Sequence, residues 1–260
     1  MTLEERKSLA AWFEEYIDRF RDRKGNLHPM LMLKREHSLR VAANARLISD
    51  ALGASEAEQH LAEGAGLVHD VGRFPQFETY GSFRDADTVN HGAEGRKVLE
   101  AQDLSCIPDS EDRKRLLCAV EFHNRNRDDI PEGLSGGQSR LLDLVRDADK
   151  LDIMELVLQS VAADGFRELP DMLPHIRLGG EVNPDILDEA LTTRSVSIGK
   201  LASVADFLVM IATWFYDLNY QPTRKIAHQR NIFSRLKRQL PRTEDIETLF
   251  SGIEKHMPNL

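Results

Sequence analysis

The chain has 260 residues, a formal net charge of -9 and an isoelectric point near 5.5. Non-specific nucleic-acid binding relies on clustered Lys and Arg against phosphate, so an acid balance of this size disfavours polynucleotide partners. Hydrophobic residues make up 41% of the sequence. That is enough, at this length, for a substantial buried core and an ordinary globular protein.

The first segment, MTLEERKSLAAWFEEYIDRF, is charged throughout and lacks the apolar run of a secretion signal. Thr2 with Glu5 fits a helix capping box, and Trp12, Tyr16 or Ile17, and Phe20 give the helix an apolar stripe that GNLHP ends. A second helix is expected from about Met30 to Leu52, with Gly53 as its C-terminal signal. Ser55 and Glu58 form another capping box. The helix they open carries Leu61, Ala65 and Val68 and ends at His69-Asp70, beside Gly72, where the chain is expected to enter a loop, RFPQFETYGSFRDAD.

Further helices are expected at about 88–101, 110–124 and 138–160. The pattern weakens through DGFRELPDMLPHIRLGGEVNP and recovers near 184–192, 199–219, 223–239 and 243–256. The fold class is therefore all-α. With no internal repeat and no composition shift, the expectation is one domain over 1–260, its C-terminal helices (about 180–260) packing on the same core.

The longest apolar stretch, Phe207 to Tyr216, lies between Asp206 and Asp217 and is far shorter than the roughly 18 to 20 residues of a membrane span, so a buried helix and no membrane partner are expected. Two cysteines make no disulfide framework, and Cys118 sits among Leu116, Leu117, Ala119 and Val120 as a core thiol would. A reducing, cytoplasmic setting follows as an expectation. The basic run RNIFSRLKRQLPR reads as a solvated helix face.

Chemistry concentrates in six residues: His37, the adjacent pair His69-Asp70, His91, His123 and Asp149. Helical spacing puts His37 on a face with Val41, Ala45 and Ile48, His91 with Gly95 and Val98, His123 with Val120 and Leu116, and Asp149 with Val145 and Leu142. Polar groups aimed into apolar faces are costly without partners, and a shared cation satisfies them together. Asp70 is the natural bridge, because a carboxylate can offer one oxygen to each of two ions. Imidazole and carboxylate donors without thiolate suit Fe, Mn, Co, Ni or Zn.

The order H…HD…H…H…D, with the stretches EHSLRVAANARLI, GLVHDVGRFPQF, VNHGAEGRKVL, EFHNR and VRDADKLD, resembles the HD superfamily of metal-dependent phosphohydrolases over roughly residues 30 to 155. The resemblance implies an HD-type helical bundle with His37, His69, Asp70, His91, His123 and Asp149 as metal ligands. Asp149 is chosen within RDADKLD because the family's ligand is the aspartate of an AD pair. Asp147 is read as solvated or an outer partner, and Asp152 as a group that orients a ligand or a water. His91 and His123 resemble the additional ligands of two-metal members, which implies two divalent ions, iron or manganese foremost, with Mg, Co, Ni or Zn as alternatives.

Arg73 stands where related proteins carry the lysine of an HDxGK motif and is the first candidate to grip phosphate. Gln76 and Tyr80 resemble positions in the RFxQFxxYGTF stretch of one subgroup and are candidates to line a pocket, as is Lys150 for charge stabilisation. Asp70, Arg73 and Asp152 are the candidate catalytic groups. The implied activity is hydrolysis of a small phosphorylated compound, most plausibly a nucleotide. Two alternatives share the same ligand order: a mixed-valent di-iron oxygenase, and a non-catalytic module that senses a nucleotide. The chain departs from the HD-GYP pattern, since Asn124 follows His123 and no GYP is present.

Overall fold

The computed structural model describes residues 1–101, 107–167 and 176–257 and divides the chain into two compact units, Met1–Asp152 and Ile153–Leu260. The fold is all-α. Among the described residues the only β pairing is isolated bridging, at Arg21 with Leu27 and Arg177 with Ser203. Cys106 and His175 lie outside the described residues. No described helix is long and apolar enough to cross a membrane.

In the first unit, α1 (Leu3–Asp18) and α3 (Glu56–Val68) both open on the expected capping boxes, with Thr2 and Ser55 accepting from the backbone N–H of Glu5 and Glu58. Between them, α2 (Pro29–Ala51) starts with proline at its first turn, where no N–H is missed. Phe13 and Tyr16 of α1 and Phe20 just beyond it gather on the buried Phe74 ring, with centroids 6.3, 6.1 and 5.5 Å away, so α1 backs the segment that follows the His69-Asp70 pair. Edge-on and tilted aromatic pairs of this kind add to plain area burial.

The expected loop after Gly72 is instead a helix, α4 (Arg73–Tyr80). Pro75 falls in its first turn, where proline is tolerated, and Gly81 ends it at φ 64°, a left-handed cap. Helix α5 (His91–Ala101) and α6 (Ser110–Phe122) follow, the latter capped by Asp109, whose carboxylate accepts from Glu111 and Asp112 N–H at 2.8 and 2.9 Å. Helix α7 (Gly136–Asp164) carries Asp149. Two glycines let these pieces close up. A Cβ on Gly72 would meet the His91 carbonyl at 2.2 Å and the Gly95 nitrogen at 2.5 Å, and one on Gly92 would meet the Glu121 carbonyl at 2.6 Å.

The second unit contains α8 (Pro184–Thr193), α9 (Val204–Thr213), α10 (Gln221–Gln229), α11 (Ile232–Gln239) and α12 (Glu244–His256). The apolar stretch around Phe207 is buried as expected, but its helix begins at Val204, where Ser203 and Asp206 form a capping box. The single helix expected over 223–239 is broken, because Asn231 takes a left-handed conformation at φ 56° between α10 and α11. Asn tolerates that region better than most residues, so the break is local chemistry that apolar periodicity does not report. Within the basic run, Arg235 pairs with Glu155 and Lys237 with Glu247, both at 2.7 Å.

Candidate metal centre

All six residues converge within the first unit. His37 comes from the middle of α2, His69 caps α3, Asp70 follows it, His91 opens α5, His123 caps α6, and Asp149 lies on α7. The helix ends place polar groups inward because the close approaches at Gly72 and Gly92 bring three chain segments within backbone distance. His37, His69, Asp70, His91 and His123 are buried, and the Asp149 side chain is partly exposed.

Every imidazole is fixed through Nδ1. His69 Nδ1 donates to the Gly66 carbonyl at 2.7 Å and His123 Nδ1 to the Val120 carbonyl at 2.8 Å. His37 Nδ1 meets Asp152 Oδ2 at 2.7 Å, and His91 Nδ1 meets Asp85 Oδ2 at 2.6 Å. Carbonyls and carboxylates only accept, so in the neutral rings the proton sits on Nδ1 and the lone pair on Nε2. Four Nε2 lone pairs thus point into one space.

The two oxygens of Asp70 face different histidines. Oδ2 lies 3.7 Å from His37 Nε2 and 3.8 Å from His69 Nε2, whereas Oδ1 lies 3.3 Å from His91 Nε2 and 3.7 Å from His123 Nε2. Asp149 Oδ1 joins the first group, 3.0 Å from His37 Nε2 and 3.7 Å from His69 Nε2. Three overlapping triads result, each with donor atoms within 4.8 Å of one another: His37, His69 and Asp70; His69, His123 and Asp149; Asp70, His91 and His123.

Two features of this geometry call for a cation. His69 Nε2 is a buried polar atom with no hydrogen-bond partner, and the His91 and His123 Nε2 atoms stand 3.1 Å apart with lone pairs opposed. Opposed lone pairs repel unless a proton or a metal ion stands between them, and buried orphan acceptors are rare in native proteins. The donor set of imidazole nitrogens and carboxylate oxygens fits borderline divalent metals.

The local charges prepare these groups as ligands. Burial drives the His91 imidazole down to about 3, assisted by Arg73, and burial likewise lowers His123, so both rings stay neutral. Burial alone would raise the Asp70 carboxyl, but Lys34, His69, His123 and His91 together outweigh it and hold the group well below the usual carboxylate range. Asp149 is also held well below that range, since His37 and His69 together overcome its burial. His37 moves the other way: burial opposes its charged form, yet Asp149 and Asp152 together raise it.

The structure also places the candidates outside the six. Asp147, read as solvated or as an outer partner, is fully buried and so is not solvated. Asp152 accepts from the Arg40 guanidinium through both oxygens, at 2.7 and 3.1 Å, and from His37 Nδ1, a placement that suits the expected role of orienting a ligand. Arg73 lies against Asp70 Oδ1 at 3.6 Å, but its Nη1 is committed to Gln76 Oε1, the Phe83 carbonyl and Asp85 Oδ1 at 2.8, 2.5 and 2.8 Å. Its Nε, by contrast, is buried without a hydrogen-bond partner.

Gln76 is buried, and its amide donates to Asp85, Thr88 and the Val89 carbonyl, which anchors the 81–90 segment. Tyr80 ends α4 half exposed, and Lys150 stands partly buried beside Asp149. Two contributors escaped the sequence reading. Lys34 Nζ lies 2.9 Å from Asp70 Oδ2, and its place one helical turn before His37 was a usable signal. Asp85 collects Arg73, Gln76, His91 and Asn124, but it sits among three aspartate-rich positions of an irregular segment where no period distinguishes it.

Residues 35–154 match the family model of the HD domain. The HD match spans all six converging residues, and it begins just after Lys34 and ends just after Asp152. No curated protein and no solved structure gave a match to the chain. The matched span contains three groups of His and Asp side chains spaced to hold a metal ion.

Proposed function

We propose that the protein is a metal-dependent phosphohydrolase that cleaves a phosphate ester or anhydride of a small molecule, with a nucleotide as the favoured substrate class. The observation that carries the reading is Asp70, whose two oxygens each face a separate histidine pair, the arrangement a bridging carboxylate needs. His37, His69 and Asp149 would hold one ion with Asp70, and His91 and His123 would hold the second, with iron or manganese the favoured occupants. Two such ions supply an activated water and neutralise charge on a phosphoryl oxygen.

The chain's own residues do the rest. Asp152, Asp85 and the carbonyls of Gly66 and Val120 fix each imidazole in the tautomer that presents Nε2. Arg40 keeps the Asp152 carboxylate ionised beside His37, and Arg73 adds positive charge next to Asp70 Oδ1. With Asp149 partly exposed and the other ligands buried, a substrate would approach from the Asp149 side.

Metal analysis of protein purified without added metal, followed by phosphate release from a panel of nucleotides and sugar phosphates, tests this. About two equivalents of metal with phosphate release supports the reading, and His69→Ala or Asp70→Ala should abolish both. Two irons with oxygen consumption and no phosphate release would replace it by oxygenase chemistry. A loaded centre without turnover on either assay would replace it by a sensing role.

A further inference from the structure

We infer that Lys34 is an exchangeable counter-ion: it neutralises Asp70 when the centre is empty of cations and is handed to the anionic substrate when Asp70 engages metal. The anion half of this inference rests on the phosphohydrolase reading; the exchange half does not.

The argument starts from one oxygen. Asp70 Oδ2 receives the Lys34 ammonium at 2.9 Å, and the same oxygen faces His37 Nε2 and His69 Nε2 at 3.7 and 3.8 Å. A cation drawn to those nitrogens competes with the ammonium for the lone pairs of Oδ2, and the two positive charges repel. Lys34 has Asp70 as its recorded carboxylate partner, so losing that oxygen leaves a charge with 15% side-chain exposure unpaired. A buried or partly buried ammonium must then find another anion.

The surroundings let it turn without losing its place. Lys34 Nζ lies 5.4 Å from the Phe83 ring centroid, and the Arg73 guanidinium lies 5.7 Å from the same ring. An aromatic face tolerates a cation in several positions, and a lysine stem has four rotatable carbons where Arg73 is tied down at Nη1 by three acceptors. Of the two cations beside Asp70, Lys34 is therefore the one able to move. A phosphoryl oxygen arriving at the centre meets an ammonium already positioned beside it, and the exchange makes metal loading and anion binding mutually dependent.

The test uses the full chain with Lys34→Met, which keeps the stem length, and Lys34→Arg, which keeps the charge. Manganese affinity of the metal-free protein and inorganic phosphate affinity of the manganese-loaded protein are measured by calorimetry. Lys34→Met should bind its first manganese on the order of tenfold more tightly and phosphate at least roughly tenfold more weakly, while Lys34→Arg keeps phosphate binding. Should Lys34→Met fold poorly, Lys34→Gln makes the same comparison. Manganese affinity unchanged or weakened overturns the exchange, and phosphate affinity unchanged in Lys34→Met overturns the anion role. If Lys34→Met shows the manganese effect but the wild-type protein binds no phosphate and releases none from any substrate, the exchange stands and the phosphohydrolase reading falls.

Discussion

Asp85→Asn isolates the outer support of one half of the centre. Asp85 Oδ1 accepts from Arg73 at 2.8 Å and Gln76 at 3.0 Å, while Oδ2 accepts from His91 Nδ1 at 2.6 Å and Asn124 Nδ2 at 3.0 Å. Asparagine preserves the shape but removes the charge, and its NH2 must face one of these donors. A charge-assisted bond is worth about 1.5–3 kcal/mol, and Asp85 is partly exposed at 28%, so the lower part of that range applies to the folded state of the metal-free protein. The larger effect falls on His91. Losing a carboxylate behind a metal-binding imidazole typically costs 10- to 100-fold in affinity, about 1.4–2.8 kcal/mol. The variant should lose affinity for the ion served by His91 and His123 and keep that of the ion served by His37, His69 and Asp149. Denaturant unfolding of metal-free protein and a metal titration with stoichiometry measure the two effects. Equal loss at both sites, or no loss at either, refutes the claim that Asp85 acts through His91.

Other consequences are as direct. Gly72→Ala places a methyl 2.2 Å from the His91 carbonyl, a backbone clash that cannot relax by side-chain rotation, and the melting temperature should fall with a loss of at least about 1–3 kcal/mol. In metal-free protein, imidazole NMR should show His91 neutral at pH 5, His123 titrating below the usual value and His37 above it; common titration near the usual value would contradict the burial argument. The signs differ accordingly. The unfolded chain takes up protons at His91 and His123 below about pH 6.5, before the folded chain does, so both cost stability as pH falls, for His91 down to about 3. His37, raised in the folded state, stabilises below about pH 6.5 and loses that contribution as pH rises through its folded value. Cys118 is buried and its thiol is pushed up to about 11 by that burial, so alkylation at pH 8 should be slow in folded protein and fast in denaturant.

Much of this protein was legible from local pattern. Helix starts at Thr2 and Ser55 follow from side-chain oxygens three residues ahead of a glutamate, a contact within one turn that needs no tertiary partner. His37, His123 and Asp149 declare themselves by standing on otherwise apolar faces, and His69-Asp70 by adjacency, so the six residues were found before their distances were known. Local pattern failed where short-range chemistry competes with periodicity. RFPQFETY reads as a loop because it follows Gly72 and contains Pro75, yet packing of Phe74 against α1 and a left-handed Gly81 make it a helix. Asn231 breaks a helix that the apolar spacing continued.

Only the tertiary structure decided who serves the centre and how. Which oxygen of Asp70 meets which histidine, that Asp152 is spent on His37 and Arg40, that Gln76 holds a segment in place, and that Lys34 shares Oδ2 all depend on residues far apart in the chain. Side-chain type and helical period set which face a residue occupies. The partner it meets there is set by how closely the backbones approach, and at Gly72 and Gly92 that approach is possible only because no Cβ stands in the way.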